Sequence, residues 1–576
     1  MRHKIHLSLF LLVLIVPALS SVASAMTGAG TEGDPYIIGD VTDLQAMNTT
    51  KTAWYQLGGD IDASATSGWN ANAGFVPIGD LAVGFTGNFN GMGFSVTDLF
   101  VDRDSTDFQG LIGRSAGGVV TSVTVFGTIT GSSYTGGVVG SNESGTISDC
   151  AASVTVTGSY YAGGVAGRNY GTGAISDCSS TGTITISANS SGGIAGYSEG
   201  SVVDCSSVAT VAGDRAGGVV GLNGTGGIVS SSSSSGAVSG ADYIGGVVGW
   251  NNIATVTSCS ATGSVTGTDD YAGGVIGRDS GSVTLCFSSA TVIGVTLVGG
   301  VSGQTAGTVT LCYASSTVTG RGAVGGVIGR IDVGVVTDCF STGDVYRSSG
   351  ENATVGGCVG TNNRGTLSRC YSTGNVYYTG ATDPTDKGFY GTIVEGDDLL
   401  MAYNFWDSTV SNQATGPEVY ATLKTTTQMK QEATFTTWDF TDVWWITESQ
   451  TYPQLRTLSS VSSLSLPSTP STPSTPVPAD GATDQSVDVD LGWSGGVGAA
   501  SFTLYFGSSS PPVLYASEIE TAAYTLPELS NATTYYWQIV ALNADGNTTS
   551  SVWDFETEAG VTPASCRSIW VSILFD

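Results

Sequence analysis

A five-residue motif, Gly-Gly-Val-x-Gly, recurs along most of this chain. Its Gly-Gly pair opens at Gly136, Gly163, Gly192, Gly217, Gly245, Gly273, Gly299, Gly325 and Gly356, and degenerate copies lie at 109–113 and 387–391. Successive copies stand 25 to 31 residues apart. Self-similarity held at one such period is the mark of a solenoid, in which each repeat is a supersecondary unit that buries its apolar face against the next. Gly accounts for 83 of 576 residues, and because the excess is periodic it marks architecture rather than disorder.

The residues inside one repeat point to strands. After Gly245 to Gly249 come a polar turn, 255–259 (TVTSC) and 260–267 (SATGSVTG). Val, Thr and Ser alternate there, with no apolar stripe at helical spacing. Cys259, Ala261, Gly263 and Val265 share parity and are expected on one face of a strand. The step of three from Val256 to Cys259 breaks the alternation and predicts a bend between them. Short strands and bends closing on themselves every 27 residues or so describe one rung of a parallel β-helix, right-handed by the usual rule for parallel crossovers. The expected fold is therefore all-β: a right-handed parallel β-helix solenoid of about 11 rungs, followed by a C-terminal β-sandwich.

The chain divides accordingly. Residues 1–25 read as a secretory signal peptide, with Arg2 and Lys4, an apolar run from Leu7 to Val16, and Ala23-Ser24-Ala25. Residues 26–109 are the expected N-terminal cap and first rungs, with a short helix over 41–48 turning Leu44 and Met47 inward. The repeats proper run 110–397, and 398–458, rich in Trp and Phe, cap the far end of the solenoid. A Ser/Thr/Pro linker occupies 459–478, a small β domain 479–558 and a tail 559–576, which contains Cys566 and is too short to cross a membrane.

Charge and composition narrow the function. With 18 Lys and Arg against 48 Asp and Glu, the net charge is −30, which excludes phosphate-neutralising contact with nucleic acid. Both histidines, His3 and His6, lie in the leader. The exported chain therefore has no imidazole for a nucleophile, a metal ligand or a general base. No apolar stretch after the leader is long enough for a membrane span.

The repeat 245–251 (GGVVGWN), the Ile/Val-x-x-Cys step and 341–345 (STGDV) resemble the GLUG motif of bacterial and archaeal surface proteins, a likeness that covers about 26–456. It implies a secreted or surface-displayed β-helix, often adhesive, and brings no catalytic residues with it. Residues 479–558 resemble a fibronectin type III domain, with Trp493 buried and Tyr535 in the place of the tyrosine corner. Such modules commonly space or bind.

Three sets of residues carry what chemistry there is. Cys150, Cys178, Cys205, Cys259, Cys286, Cys312, Cys339 and Cys370 fall at the equivalent place of their repeats, with Ser232 filling the one gap. Export favours disulfides, but rung spacing of about 4.8 Å and a Ser in mid-file favour a packed ladder of small side chains. Asp149, Asp177 and Asp204 precede the ladder cysteine on three successive rungs, either as a solvated turn column or as a place for Ca²⁺, the one cofactor the sequence suggests. Tyr134, Tyr161, Tyr243 and Tyr271 each stand two places before a Gly-Gly turn, either shielding that corner or forming a contact strip for a glycan or a protein. Arg114, Arg168, Arg278 and Arg330 follow the turn on separated rungs. The expected function is a secreted or cell-surface structural and adhesive protein whose partner is an extracellular glycan or surface protein. The alternative is a polysaccharide lyase or hydrolase using an acidic face of the β-helix.

Overall fold

The repeats wind into a parallel β-solenoid of about eleven turns, one continuous sheet of it containing 11 strands. The computed structural model describes residues 26–348, 354–379, 382–394, 400–416, 419–456, 472–494, 499, 501–519, 521–543 and 546–559. The signal peptide, Asn352 of the triplet Asn352-Ala353-Thr354 (an N-glycosylation signal), Cys566, most of the linker and nearly all of the tail lie outside the described residues. The chain forms two compact units that divide after Ser460.

One turn shows how the sequence makes a rung. Its strands are Tyr243–Gly245, Val248–Asn251, Thr255–Thr257, Ser260–Ala261 and Ser264–Gly267. Each pairs in parallel with its equivalent one repeat later: Tyr243 with Tyr271, Val248 with Ile276, Val256 with Val283, Ser260 with Phe287 and Val265 with Val292. The Gly-Gly pair is required where two strands meet at a tight corner. A Cβ on Gly245 would lie 1.9 Å from the Val248 carbonyl oxygen, and one on Gly246 2.1 Å from that of Gly274. The bend expected between Val256 and Cys259 falls at Ser258, whose φ is 55°.

Inside, Val, Ile, Ala and Cys side chains form one apolar core running from Ile38 to Ala421. Beside it runs a buried polar file of Asn142, Asn169, Ser198, Asn223, Asn251, Asp279 and Thr305, linked through Asn142 Nδ2 to Asn169 Oδ1 (2.9 Å) and Asn223 Nδ2 to Asn251 Oδ1 (3.0 Å). Such side chains satisfy the backbone of the tight corner as well as one another; Asn251 Nδ2, for example, also reaches the Ala254 carbonyl at 3.1 Å.

At the front, the helix Val41–Ala46 is capped by Asp40, whose carboxylate accepts from the amides of Thr42 and Asp43. Leu44 and Met47 are fully buried, as the apolar spacing requires. At the far end, 398–456 does more than cover an opening. Phe287, Tyr313, Phe340 and Tyr371 alternate with inward side chains and so stack on the outer face, with ring centroids 4.7–4.9 Å apart. The closing segment turns back onto that stack. Trp444 donates its indole N–H to Asp338 at 3.1 Å, and the Tyr371 hydroxyl donates to the Pro453 carbonyl at 2.7 Å. Arg369 holds Asp338 in place through a 2.6 Å ion pair.

The second unit is built mainly of antiparallel strands. Ser474–Val477, Asp490–Ser494 and Ala523–Thr525 form one sheet, and Ser501–Gly507 and Thr534–Asn543 lie at the heart of another. Trp493, Leu504, Trp537, Ile539 and Phe555 form its core.

Candidate functional site

The four tyrosines nominated by the sequence lie on one outer column of the solenoid. Register runs from Tyr161 through Ser190 and Arg215 to Tyr243, Tyr271 and Leu297, and Tyr134 precedes the strand Thr135–Gly136 that opens the series. Across the glycine corner runs a second column: Arg114, Ser141, Arg168, Tyr197, Leu222, Trp250, Arg278, Gln304 and Arg330.

Because the corner lacks side chains, the two columns close on each other. Tyr161 stacks on Tyr197 at 5.1 Å, and Tyr243 stacks on both Trp250 (5.5 Å) and Tyr271 (5.0 Å). The guanidinium of Arg168 lies 4.3 Å from the Tyr134 ring centre. Those of Arg215 and Arg278 each lie 5.4 Å from Trp250. Such contacts are individually modest but hold long side chains in fixed places. Arginine thus recurs on alternate rungs, at Arg114, Arg168, Arg215, Arg278 and Arg330, or about every 9.6 Å. The sequence showed these arginines as scattered; their common face depends on register that spacing alone does not fix. Tyr197, Trp250 and Arg215 belong to the same strip and were missed for that reason.

Carboxylates balance the strip. Glu143 bridges Arg114 and Arg168, each at 2.5 Å, Asp332 pairs with Arg330 at 2.7 Å, and the Tyr197 hydroxyl donates to Glu199. Burial raises the phenol pKa values of Tyr161 and Tyr271, so both stay neutral hydrogen-bonding groups near neutrality. With ring faces stacked between rungs, the strip presents ring edges, hydroxyls and guanidinium groups.

The eight ladder cysteines stand in one file and are all buried and free. Flanking residues hold them in register, as Ser148 with Ser176 and Ala151 with Ser179 do around Cys150 and Cys178. Their thiols lie near the carbonyl two residues back, 3.2 Å for Cys259 to Thr257 and 3.1 Å for Cys312 to Thr310. Burial raises the pKa values of Cys259, Cys312 and Cys339 well above the usual thiol range, which leaves them protonated and unreactive. Ser232 takes its place in the file, accepting from the Cys205 amide and donating to the Ser230 carbonyl. Cys358, buried on a Gly-Gly-Cys turn, is a further core thiol outside this file.

Asp149, Asp177 and Asp204 are exposed, and their backbones share one feature. Their φ angles are 55°, 54° and 52°, and the same left-handed conformation continues at Ser231, Ser258, Leu285, Leu311, Asp338 and Arg369. Asp tolerates this region better than most residues with a Cβ, so the bend supplies a backbone reason for the column. Among the described residues, no group of three or more His, Cys, Asp or Glu side chains is placed to hold a metal ion.

Comparison with known proteins agrees with the repeat architecture. The model of the GLUG motif matches residues 131–157, 158–185 and 240–266. A 109-residue stretch is 42% identical to halomucin of Haloquadratum walsbyi, covering 17% of this chain and 1% of that protein. A 123-residue stretch is 32% identical to a protein of Evansella cellulosilytica named as a Gly-rich membrane protein, covering 19% of this chain and 14% of that one. No solved structure matches the chain. No helix among the described residues is long and apolar enough to cross a membrane. The chain carries GLUG-motif repeats, and those repeats are wound into a parallel β-solenoid.

Proposed function

We propose that this protein is a secreted or cell-surface structural protein. In this reading the solenoid is a right-handed stalk, and the tyrosine–arginine strip is its adhesive surface for an extracellular glycan or surface protein. The observation that carries the structural role is the unbroken parallel register of the longest single-file sheet, whose 14 strands run from Tyr36–Ile38 to Leu400–Ala402. A stack in which every rung supports its neighbours suits a load-bearing or display element. The names of halomucin and of the Gly-rich membrane protein support a place at the cell surface.

The second unit reads as a fibronectin type III-like β-sandwich that spaces or presents. Its support is the hydrogen bond from the Ser530 amide to the Tyr535 hydroxyl, 3.1 Å long, which is the contact a tyrosine corner makes. The test is location in the native host. Antibody against the solenoid should label intact cells or recover the protein from the medium, and surface proteolysis should remove it. Confinement to the cytosol would overturn the proposal.

A further inference from the structure

We propose that the N-terminal cap contains a binding site for a neutral saccharide, separate from the tyrosine–arginine strip. Beside the front helix lies a cleft of about 520 Å³ lined by Thr42, Gln45, Ala46, Trp69, Asn70 and Val76. It is shallow and open to solvent, with Thr42, Asn70 and Val76 exposed at its surface, so a ligand would lie across it with one face against the protein. On a chain of net charge −30, none of these six side chains is ionisable. That lining suits an uncharged ligand and offers no positive charge to a phosphate or a uronate.

The walls are fixed before any ligand arrives. Gln45 clasps Val76 from both sides, its Nε2 donating to the carbonyl at 2.8 Å and its Oε1 accepting from the amide at 2.9 Å. Asn48, in the short turn Met47–Thr49 that follows the helix, ties down the next residues through the Pro77 carbonyl (3.2 Å) and the Gly79 amide (3.1 Å). The opposite wall is a strained turn. Asn70, Ala71 and Asn72 have φ of 54°, 58° and 69° in succession, a costly run for residues with a Cβ. The Asn70 amide stabilises it by donating to the Gly74 carbonyl at 2.7 Å. Strain of this kind persists where it holds groups in a required place; here it sets Trp69 and Asn70 at the mouth of the cleft.

The groups left over match a sugar. Among the described residues, no protein partner engages the Trp69 indole N–H, the exposed Thr42 hydroxyl or the exposed Asn70 Oδ1, so the lining offers a donor, a donor–acceptor and an acceptor together with one aromatic ring. The apolar face of a pyranose packs on such a ring while its hydroxyls meet amides and hydroxyls.

The experiment is a titration of the full chain with neutral hexose and N-acetylhexosamine oligosaccharides, followed by ligand-observed NMR and by indole fluorescence. Uronate and sulfated oligosaccharides form the charged arm. Neutral oligosaccharides should bind, and Trp69→Ala should weaken binding about tenfold or more. Because Trp69 also packs on the core, Asn70→Gly is the second variant: it removes the side chain, and the relief of the left-handed strain at φ 54° offsets the lost hydrogen bond to the Gly74 carbonyl. It too should lose affinity while its melting temperature stays near that of the parent. The proposal is overturned if no neutral oligosaccharide binds, if charged ones bind as well, or if both variants keep full affinity. Binding abolished in the strip by Tyr243→Ala but retained in Asn70→Gly would also overturn it, without touching the surface role of the protein.

Discussion

Asn251 donates its amide Nδ2 to the carboxylate of Asp279 at 2.8 Å, inside the solenoid and out of reach of solvent. Asp279 occupies a place that Asn fills on the two preceding rungs, at Asn223 and Asn251, and it also accepts from the Gly281 amide (2.9 Å) and the Thr305 hydroxyl (2.8 Å). Three donors do not offset full burial: desolvation raises its pKa above 3.8. An acid whose folded pKa is raised destabilises the fold while ionised, and that cost disappears as pH falls through the raised value toward 3.8. Asp279→Asn should therefore be more stable than the parent at neutral pH, by about 2 kcal/mol. The two melting temperatures should converge as the solution is acidified. Thermal unfolding of both chains across pH 4 to 7.5 checks this, and an advantage that persists at the acid end would contradict it.

The aspartate column makes a different prediction. If Asp177 is present for its backbone conformation, Asp177→Asn and Asp177→Gly should both melt close to the parent. Asp177→Val, which resists a φ of 54°, should lose on the order of 1–2 kcal/mol. The outcome that contradicts this is a stabilisation by added calcium that Asp177→Asn removes.

The thiol file predicts a titration. Ellman's reagent should find none of the nine solenoid cysteines in the native protein and all nine, in addition to Cys566 of the tail, after denaturation without reductant. Replacement by Ser is already accommodated at Ser232, so Cys259→Ser should fold and lose no more than about 1–2 kcal/mol. A branched side chain such as Ile at Cys259 overfills the fully buried site and should cost more.

Asn-x-Ser/Thr triplets also sort by burial. Asn142 and Asn223 are fully buried in the polar file, whereas Asn531 and Asn547 are exposed on the second unit. Expressed in a host that N-glycosylates its exports, folded protein should carry glycans at Asn531 and Asn547 and none at Asn142 or Asn223. Peptide mass spectrometry reads this directly.

These cases show which links were legible in the sequence. The period of the Gly-Gly turn and the parity of Cys259, Ala261 and Val265 expose the rung, because a strand of alternating faces leaves its pattern in the order of residues. The reason for Asp at 149, 177 and 204 lies in a dihedral angle, and the later Ser and Leu residues at the same bend hide it from a reading by residue type. The strip of Tyr161, Tyr197, Arg215 and Trp250 crosses a corner between two strands, so its members stand at two different offsets from the glycines. Phe340 and Tyr371 look like core residues by character, yet they are buried from outside by Trp444, which lies far downstream of both in the chain. The front cleft depends on three consecutive left-handed residues, two of them Asn and one an unremarkable Ala.

The central claim is that each repeat closes one full turn, so that equivalent side chains lie above one another. Sulfur anomalous diffraction from crystals of the protein tests it most directly. The peaks of Cys259, Cys286, Cys312, Cys339 and Cys370 should form a single row with steps of about 4.8 Å. Peaks that scatter through the molecule, or that merge in pairs at the disulfide separation of about 2.05 Å, would contradict it.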